Sequence, residues 1–291
     1  MPTISHAAAV DHVIRLSSGR RLGYAMYGDP DGVPVLSCHG GLVGRLDVEL
    51  ADGDARDLGA CIISPDRPGV GLSDRAPGHN TVDWADDARQ LIDQLGLDHV
   101  AVMGWSLGGQ YALAVSARLA GRVSRTALIA GCVPLDDAVN RSQLPAADNR
   151  LARLSVRARP AARAVFATMA TAARLRPTRF ARLSSRDVCP ADRAIFLAES
   201  DWFGRAVADA LGDTRGEVDE YRAMVAPWGF APEEVVGPVD LWQGDADTMV
   251  PPTWAVELKR RLPRATLTSL AGQGHLIAVT HRRDVLASLL E

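Results

Sequence analysis

Long apolar runs are absent from this sequence. No run approaches the roughly 18 residues that a membrane-spanning helix needs, so we expect no transmembrane segment. Residues 1–13 also lack the basic start and apolar core of a secretory signal, and we expect no signal peptide. Together these absences predict a cytoplasmic protein.

Cysteine, lysine and excess charge of either sign are scarce as well. The four cysteines have no metal-type spacing, and Cys38, Cys61 and Cys132 lie at or near the ends of apolar runs, which predicts buried free thiols and no metal site. Lys259 is the single lysine among 32 basic residues. Because the formal net charge is only −3, neither nucleic acid nor a membrane is expected as a partner. No cofactor motif is present, so no cofactor is expected, and the protein is expected to be a monomer or homodimer.

The chain does contain alternating strand and helix patterns. Continuous apolar runs favour strands buried on both faces, and the helices between them favour a mostly parallel sheet covered on both sides. The predicted strands are residues 13–16, 22–27, 33–38, 60–64, 100–103, 124–130, 239–243 and 265–270. The first two read as a hairpin. Helices are predicted for 45–58 and, with Thr81 as the N-cap, for the stretch that ends near Gly96.

A long helical stretch interrupts this alternation. No strand is predicted between 134 and 238, and residues 141–186 hold many arginines among alanines. We interpret these arginines as a solvated face. Residues 134–237 are therefore predicted to form a helical cap domain, inserted into a core domain made of residues 1–133 and 238–291.

A serine between two glycines marks the centre of the α/β part. Gly104-Trp105-Ser106-Leu107-Gly108 follows an apolar run and precedes a helical pattern. Glycines relieve the crowding of a sharp strand-to-helix turn. Such a turn exposes the serine oxygen at a helix N-terminus, where backbone N–H groups favour a developing oxyanion.

Three further glycine-containing motifs follow predicted strands elsewhere in the chain. His39-Gly40-Gly41 follows the third predicted strand, and Asp66-Arg67-Pro68-Gly69-Val70-Gly71-Leu72-Ser73 follows the fourth. Near the end of the chain, Gly244-x-x-Asp247-x-x-Val250-Pro251 precedes Gly272-x-Gly274-His275. A serine hydroxyl needs a base to become a nucleophile, and the base needs an orienting acid.

These motifs, in this order, resemble the α/β-hydrolase superfamily over nearly the whole chain. The resemblance implies a mostly parallel eight-stranded sheet with helices on both faces and a helical cap after the sixth strand. It implies Ser106 as nucleophile, His275 as base and Asp247 as acid, with the backbone N–H groups of Gly41 and Leu107 as the oxyanion hole. Asp245 is a rival acid two residues away, and Asp136 or Asp137 is a third choice.

The nucleophile and the cap narrow the function. Dehalogenases and epoxide hydrolases of this superfamily use aspartate at the elbow, and position 106 is serine. We therefore expect a serine hydrolase that cleaves a small carboxylic ester, lactone, thioester or amide through an acyl-enzyme. A C–C bond hydrolase of vinylogous diketones, an aminopeptidase with Glu199 and Asp201 near the substrate ammonium, and a non-catalytic ligand receptor are the alternatives.

One residue of the His39-Gly40-Gly41 motif, one beside the serine and four aromatic residues of the helical stretch are candidates for the substrate pocket. The tryptophan and phenylalanine side chains are apolar and would suit an acyl group, although packing inside the fold would explain them equally well. The candidates are His39, Trp105, Phe196, Trp202, Phe203 and Trp228.

Overall fold

An eight-stranded sheet forms the centre of the protein, whose computed structural model describes residues 10–291. The segment from which no signal peptide was predicted therefore lies mostly outside the described residues. The strands are β1 (Val10–Arg15), β2 (Arg21–Gly28), β3 (Val33–Cys38), β4 (Ala60–Pro65), β5 (Val100–Trp105), β6 (Val123–Ile129), β7 (Val239–Gly244) and β8 (Ala265–Leu270).

The strand order is β1-β2-β4-β3-β5-β6-β7-β8. Strand β2 is antiparallel to both β1 and β4, and all the other neighbours are parallel. The predicted fold class, with its initial hairpin, is confirmed. The parallel strands end at one edge, so the loops after β3, β5, β7 and β8 meet there, where ligands bind in open α/β sheets.

Thirteen α-helices accompany the sheet in the described residues. They are α1 (Asp52–Leu58), α2 (Trp84–Gln94), α3 (Gly108–Arg118), α4 (Ala138–Ser142), α5 (Ala146–Arg157), α6 (Arg159–Leu175), α7 (Pro177–Ser184), α8 (Pro190–Ala198), α9 (Ser200–Ala210), α10 (Thr214–Met224), α11 (Pro252–Arg261), α12 (Ile277–Thr280) and α13 (Arg282–Leu289). None of them is both long and apolar enough to cross a membrane.

Apolar side chains fill both faces of the sheet. On one face, Leu91 of α2 and Leu113 of α3 join Val102 of the sheet in a buried cluster. On the other face, Ala55 of α1 and Leu286 of α13 pack against strand side chains in a second buried cluster. The four cysteines are buried free thiols, as predicted.

Helices α4–α10 lie between β6 and β7, and we call residues 134–237 the helical insertion. Its Phe166 and Tyr221 belong to the same buried cluster as Val102 of the sheet. The insertion thus shares an apolar core with the α/β part. The division into separate core and cap domains stays a prediction.

Two predicted helix starts were wrong. The helix predicted for 45–58 begins only at Asp52, after a short 3-10 turn at Glu49–Ala51. Arg45, at the predicted start, is buried and forms ion pairs with Asp11, Asp66 and Asp209. These distant carboxylates hold the segment in turns, and no local pattern signals them.

Thr81 does not cap α2, which starts at Trp84 with Asp83 as the N-cap residue. The buried Thr81 hydroxyl instead accepts a hydrogen bond of 2.7 Å from Gln110 Nε2 of α3. A tertiary partner has replaced the local capping role.

Candidate active site

Ser106 occupies a sharp turn between β5 and α3. Its φ is +54°, a left-handed conformation that is uncommon for a residue with a Cβ. The turn is held because Ser106 N–H donates to the Ile129 carbonyl at 2.8 Å. The flanking glycines are needed for close approach: a Cβ at Gly104 would lie 2.5 Å from the Gly108 carbonyl oxygen. A Cβ at Gly108 would clash with the carbonyl group of Cys38.

His275 and Asp247 meet at the ends of β8 and β7. The Nδ1 atom of His275 lies 2.9 Å from Asp247 Oδ2, and both side chains are almost completely buried. The other Asp247 oxygen accepts the N–H groups of Met249 and Val250 at 2.8 and 2.9 Å. Because Nδ1 is engaged, Nε2 is the nitrogen left for proton exchange with another group.

Asp245, the rival acid, points elsewhere. Its Oδ1 accepts the Gly272 N–H at 2.7 Å, which braces the loop before the histidine. Asp137 caps α4 by accepting the N–H groups of Val139 and Asn140. The structure therefore brings Asp247, and neither Asp245 nor Asp137, to the imidazole.

Burial and charge oppose each other in this histidine–aspartate pair. Burial alone would lower the pKa of His275, but the Asp247 carboxylate, helped by Asp192 and Asp148, outweighs it and raises the pKa. Burial would raise the pKa of Asp247, yet the imidazole and the two backbone N–H donors lower it. The pair thus favours an ionised aspartate beside a histidine that is more basic than usual.

Gly41 and Leu107 both line the cavity that Ser106 lines. A Cβ on Gly41 would lie 3.4 Å from the Leu107 side chain, so the two residues are neighbours. In residues 10–291, neither amide donates a hydrogen bond to a protein acceptor. Two unpaired donors next to a serine can receive the negative oxygen of a tetrahedral intermediate.

Buried side chains fix the loop that carries Gly41. Arg67 donates to the carbonyl groups of His39 and Gly40 and forms an ion pair of 2.7 Å with Glu220 of α10. Asp47 accepts the Gly40 N–H at 3.3 Å. The Gly40 amide is therefore occupied, and the Gly41 amide is left free for a ligand.

His39 does not reach the cavity, contrary to its prediction as a pocket residue. It is fully buried, its Nε2 accepts the Arg67 N–H at 3.1 Å, and its Nδ1 lies 2.8 Å from the Gly40 carbonyl. Burial and the Arg67 charge hold its pKa well below the usual value, so the ring is neutral. His39 stabilises the loop that carries Gly41.

The cavity has a volume of about 270 Å³ and is mostly apolar. Ser106, His275 and three of the predicted pocket residues line it, namely Trp105, Phe196 and Phe203. The Trp105 indole also donates to the His275 carbonyl at 3.1 Å. Trp202 and Trp228 are not among the lining residues. The Trp202 indole instead donates to the Leu46 carbonyl at 2.8 Å, and Trp228 packs on Phe230.

Asp192 is a site residue that sequence reasoning missed. It belongs to α8 of the helical insertion and is 1% exposed. Its two carboxylate oxygens accept the N–H groups of His275 and Leu276 at 2.7 and 2.8 Å. The insertion thereby anchors the backbone of the histidine loop across 83 residues of sequence. Nothing in the local sequence singles out Asp192 from the other acidic residues.

Asp148 and Tyr221 were missed as well. Both line the cavity, and the Tyr221 hydroxyl donates to Asp148 Oδ1 at 3.1 Å. Burial raises the pKa of Asp148, although the Tyr221 hydrogen bond opposes that shift. Glu199 and Asp201, the candidates for binding a substrate ammonium in the aminopeptidase alternative, are not among the lining residues.

Known proteins share this architecture. A family model described as the alpha/beta hydrolase fold matches residues 33–281. An esterase from Exiguobacterium antarcticum superposes with a TM-score of 0.71 at 20% identity, covering 96% of this chain and 97% of that one. For a thermophilic esterase from Thermogutta terrifontis the TM-score is 0.69, the identity 20% and the coverage 98% and 97%.

A bromoperoxidase from Bacillus anthracis is also similar, with a TM-score of 0.71 and 19% identity over 97% of this chain and 98% of that one. At such low identity these likenesses show the fold alone. The different names within one fold mean that function has to be argued from the site.

Proposed function

Because the chain belongs to the α/β-hydrolase fold family, we propose that it is a serine hydrolase that cleaves small carboxylic esters through an acyl-enzyme on Ser106. The observation that carries the proposal is the buried His275–Asp247 pair at the wall of the cavity that Ser106 lines. A histidine oriented by an aspartate is the base that a serine nucleophile needs.

The first half-reaction forms the acyl-enzyme. His275 Nε2 removes the Ser106 hydroxyl proton as Oγ attacks the ester carbonyl carbon. The carbonyl oxygen becomes negative and is stabilised by the Gly41 and Leu107 N–H groups. When the C–O bond breaks, the imidazolium returns the proton to the leaving alkoxide, and an alcohol departs.

The second half-reaction repeats these steps with water. His275 removes a proton from water, and the hydroxide attacks the acyl carbon. The same two amides stabilise the second oxyanion. Collapse of the intermediate then releases the carboxylic acid and returns the proton to Ser106. Asp247 stays ionised throughout and stabilises the imidazolium.

Cavity size and lining favour a short acyl group. A volume of about 270 Å³ lies just below the range of about 300–1,000 Å³ that is usual for small-molecule pockets. The polar side chains contributed by the helical insertion are few and include Asp148, Ser184 and Tyr221. The C–C bond hydrolase alternative needs polar groups from the insertion to hold a dienolate, and none of the described lining residues is an arginine that could do so.

The test is covalent labelling by a fluorophosphonate, followed by intact mass. We expect one adduct on the wild type and none on Ser106→Ala. Ser184→Ala is the matched control, since Ser184 lines the same cavity and should leave labelling intact. Ester substrates of graded acyl length would then show the highest kcat/KM for short chains. An unlabelled wild type would favour the ligand-receptor alternative.

A further inference from the structure

Arginine is distributed unevenly along this chain. Residues 141–186, which we call the arginine segment, contain eleven arginines against one acidic residue, Asp148, a formal charge of +10. The remaining residues comprise 21 basic and 34 acidic side chains, a formal charge of −13. The net charge of −3, from which no membrane partner was predicted, conceals this separation.

The arginines of the two regions also differ in their partners. Outside the segment, 17 of 20 arginines form ion pairs with carboxylates. Within residues 10–291, none of the eleven segment arginines lies within 4.0 Å of a carboxylate oxygen. Residues 1–9 contain no aspartate or glutamate that could pair with them. Ten of the eleven are exposed.

Apolar side chains are exposed among these arginines. Leu175 is 71% exposed, Leu183 44% and Val165 37%. Helices α6 and α7 enclose a surface groove of about 550 Å³, lined by Leu175 and Leu183 together with Arg176 and Arg179. The inner face of α6 is occupied by packing, because Ala162, Phe166, Ala170 and Ala173 are buried.

We propose that the outer face of α6 and α7 docks onto an anionic phospholipid surface. Guanidinium groups bind phosphate oxygens through paired N–H donors, and an anionic leaflet supplies the missing counter-charge. The exposed leucines and valine would enter the boundary between headgroups and acyl chains, as in helices that lie in a membrane interface. A nucleic acid would neutralise the arginines but would leave these apolar side chains in water.

The same two helices form a wall of the candidate active site. Met169 of α6 and Phe180 and Ser184 of α7 line the cavity that holds Ser106, and Phe180 also lines the outer groove. Docking would therefore bring this wall of the cavity to the lipid surface. Only this consequence rests on the proposed function, since vesicle binding is measured without any substrate.

The test is co-sedimentation with vesicles of phosphatidylcholine alone and of phosphatidylcholine mixed with phosphatidylglycerol. We expect the wild type to bind the mixed vesicles, to bind them more weakly as salt is raised, and not to bind the neutral ones. The variant Arg174→Gln/Arg176→Gln/Arg179→Gln/Arg182→Gln should lose affinity at least roughly tenfold, because each arginine at an anionic leaflet contributes roughly fivefold.

A matched control distinguishes an effect of this surface from an effect of the protein's net charge. Arg21→Gln/Arg56→Gln/Arg89→Gln/Arg260→Gln removes four surface arginines that form ion pairs elsewhere on the protein, with the same change in charge. It should bind nearly as well as the wild type. Leu175→Ser, which keeps every charge, should weaken vesicle binding several-fold. Circular dichroism would establish that each variant is folded.

Several results would overturn the proposal. The first is a wild type that does not bind the mixed vesicles. The second is an equal loss of vesicle affinity in the two four-site variants, and the third is binding to neutral vesicles as strong as binding to anionic ones. Preferential, salt-sensitive binding of duplex DNA that Leu175→Ser leaves unchanged would assign the surface to nucleic acid instead. Because Ser106→Ala should still bind vesicles, failure of the hydrolase proposal is distinguishable.

Discussion

The loops of the sheet and the helical insertion build the candidate site in different ways. The sheet loops contribute Ser106, His275, Asp247 and two backbone amides, each within three residues of a glycine in a short motif. The insertion contributes Asp192, Asp148 and Tyr221, which occur in ordinary helical sequence. The reacting groups are thus marked by local backbone requirements, whereas the groups that position them depend on contacts between distant segments.

The largest expected effect compares two neighbouring acids in one sheet loop. Asp247→Asn should lower kcat/KM by roughly 10⁴-fold, because the amide holds the imidazole in the wrong tautomer. Asp245→Asn should lower it by less than about threefold, since its carboxylate only braces Gly272. Ester hydrolysis at a fixed pH measures both. Similar losses in the two variants would contradict the assignment of the acid.

Glycine substitutions test whether the motif marks a backbone requirement. Gly108→Ala should lower the melting temperature and remove most of the activity, because the new Cβ would lie 2.5 Å from the His39 carbonyl oxygen. The expected loss in the free energy of unfolding is about 1–3 kcal/mol. Gly53→Ala, in α1 with open space around the position, should stabilise by about 0.5–1 kcal/mol. A neutral Gly108→Ala would refute the packing argument.

Asp192→Asn tests the contribution of the helical insertion to catalysis. The base must be neutral, so activity falls as pH decreases through the pKa of His275, which Asp247, Asp192 and Asp148 raise. Removing the Asp192 charge lowers that pKa, and the acidic limb of kcat/KM should move to lower pH. The plateau should fall roughly tenfold, because one amide oxygen cannot replace two carboxylate acceptors.

Asp187→Asn is the matched control for this experiment. Asp187 is an exposed acid of the same insertion, and its backbone carbonyl, not its side chain, accepts the Thr248 hydroxyl. Its pH profile should coincide with that of the wild type. If Asp192→Asn lowers the plateau without moving the acidic limb, its role is structural only.

The smallest expected effect concerns the cavity acid. Burial raises the pKa of Asp148, although the hydrogen bond from Tyr221 opposes that shift. Asp148→Asn keeps the volume of the side chain and an acceptor for the tyrosine hydroxyl. The KM for neutral esters should therefore change by less than about threefold. A large increase in KM that is confined to cationic esters would show that Asp148 binds them as a carboxylate.

The sequence by itself determined the alternation of strands and helices along the chain, the initial hairpin and the position of the long helical stretch. Continuous apolar runs separated by helical periodicity are properties of each segment alone, so they can be read without contacts. The serine, histidine and aspartate stood out for a similar reason. Sharp turns at strand ends tolerate few residues, and glycines reveal them.

Only the tertiary structure decided which side chains support those motifs. Arg45 and Thr81 bind partners far away in sequence, and so two helices begin later than their local patterns indicate. His39 turned inward to the Arg67 backbone, and Asp192 reached the histidine loop from α8. A buried polar group forms a hydrogen bond with a partner that the packed fold brings close, because an unpaired buried group costs free energy. That partner is often distant in sequence, so the local pattern does not identify it.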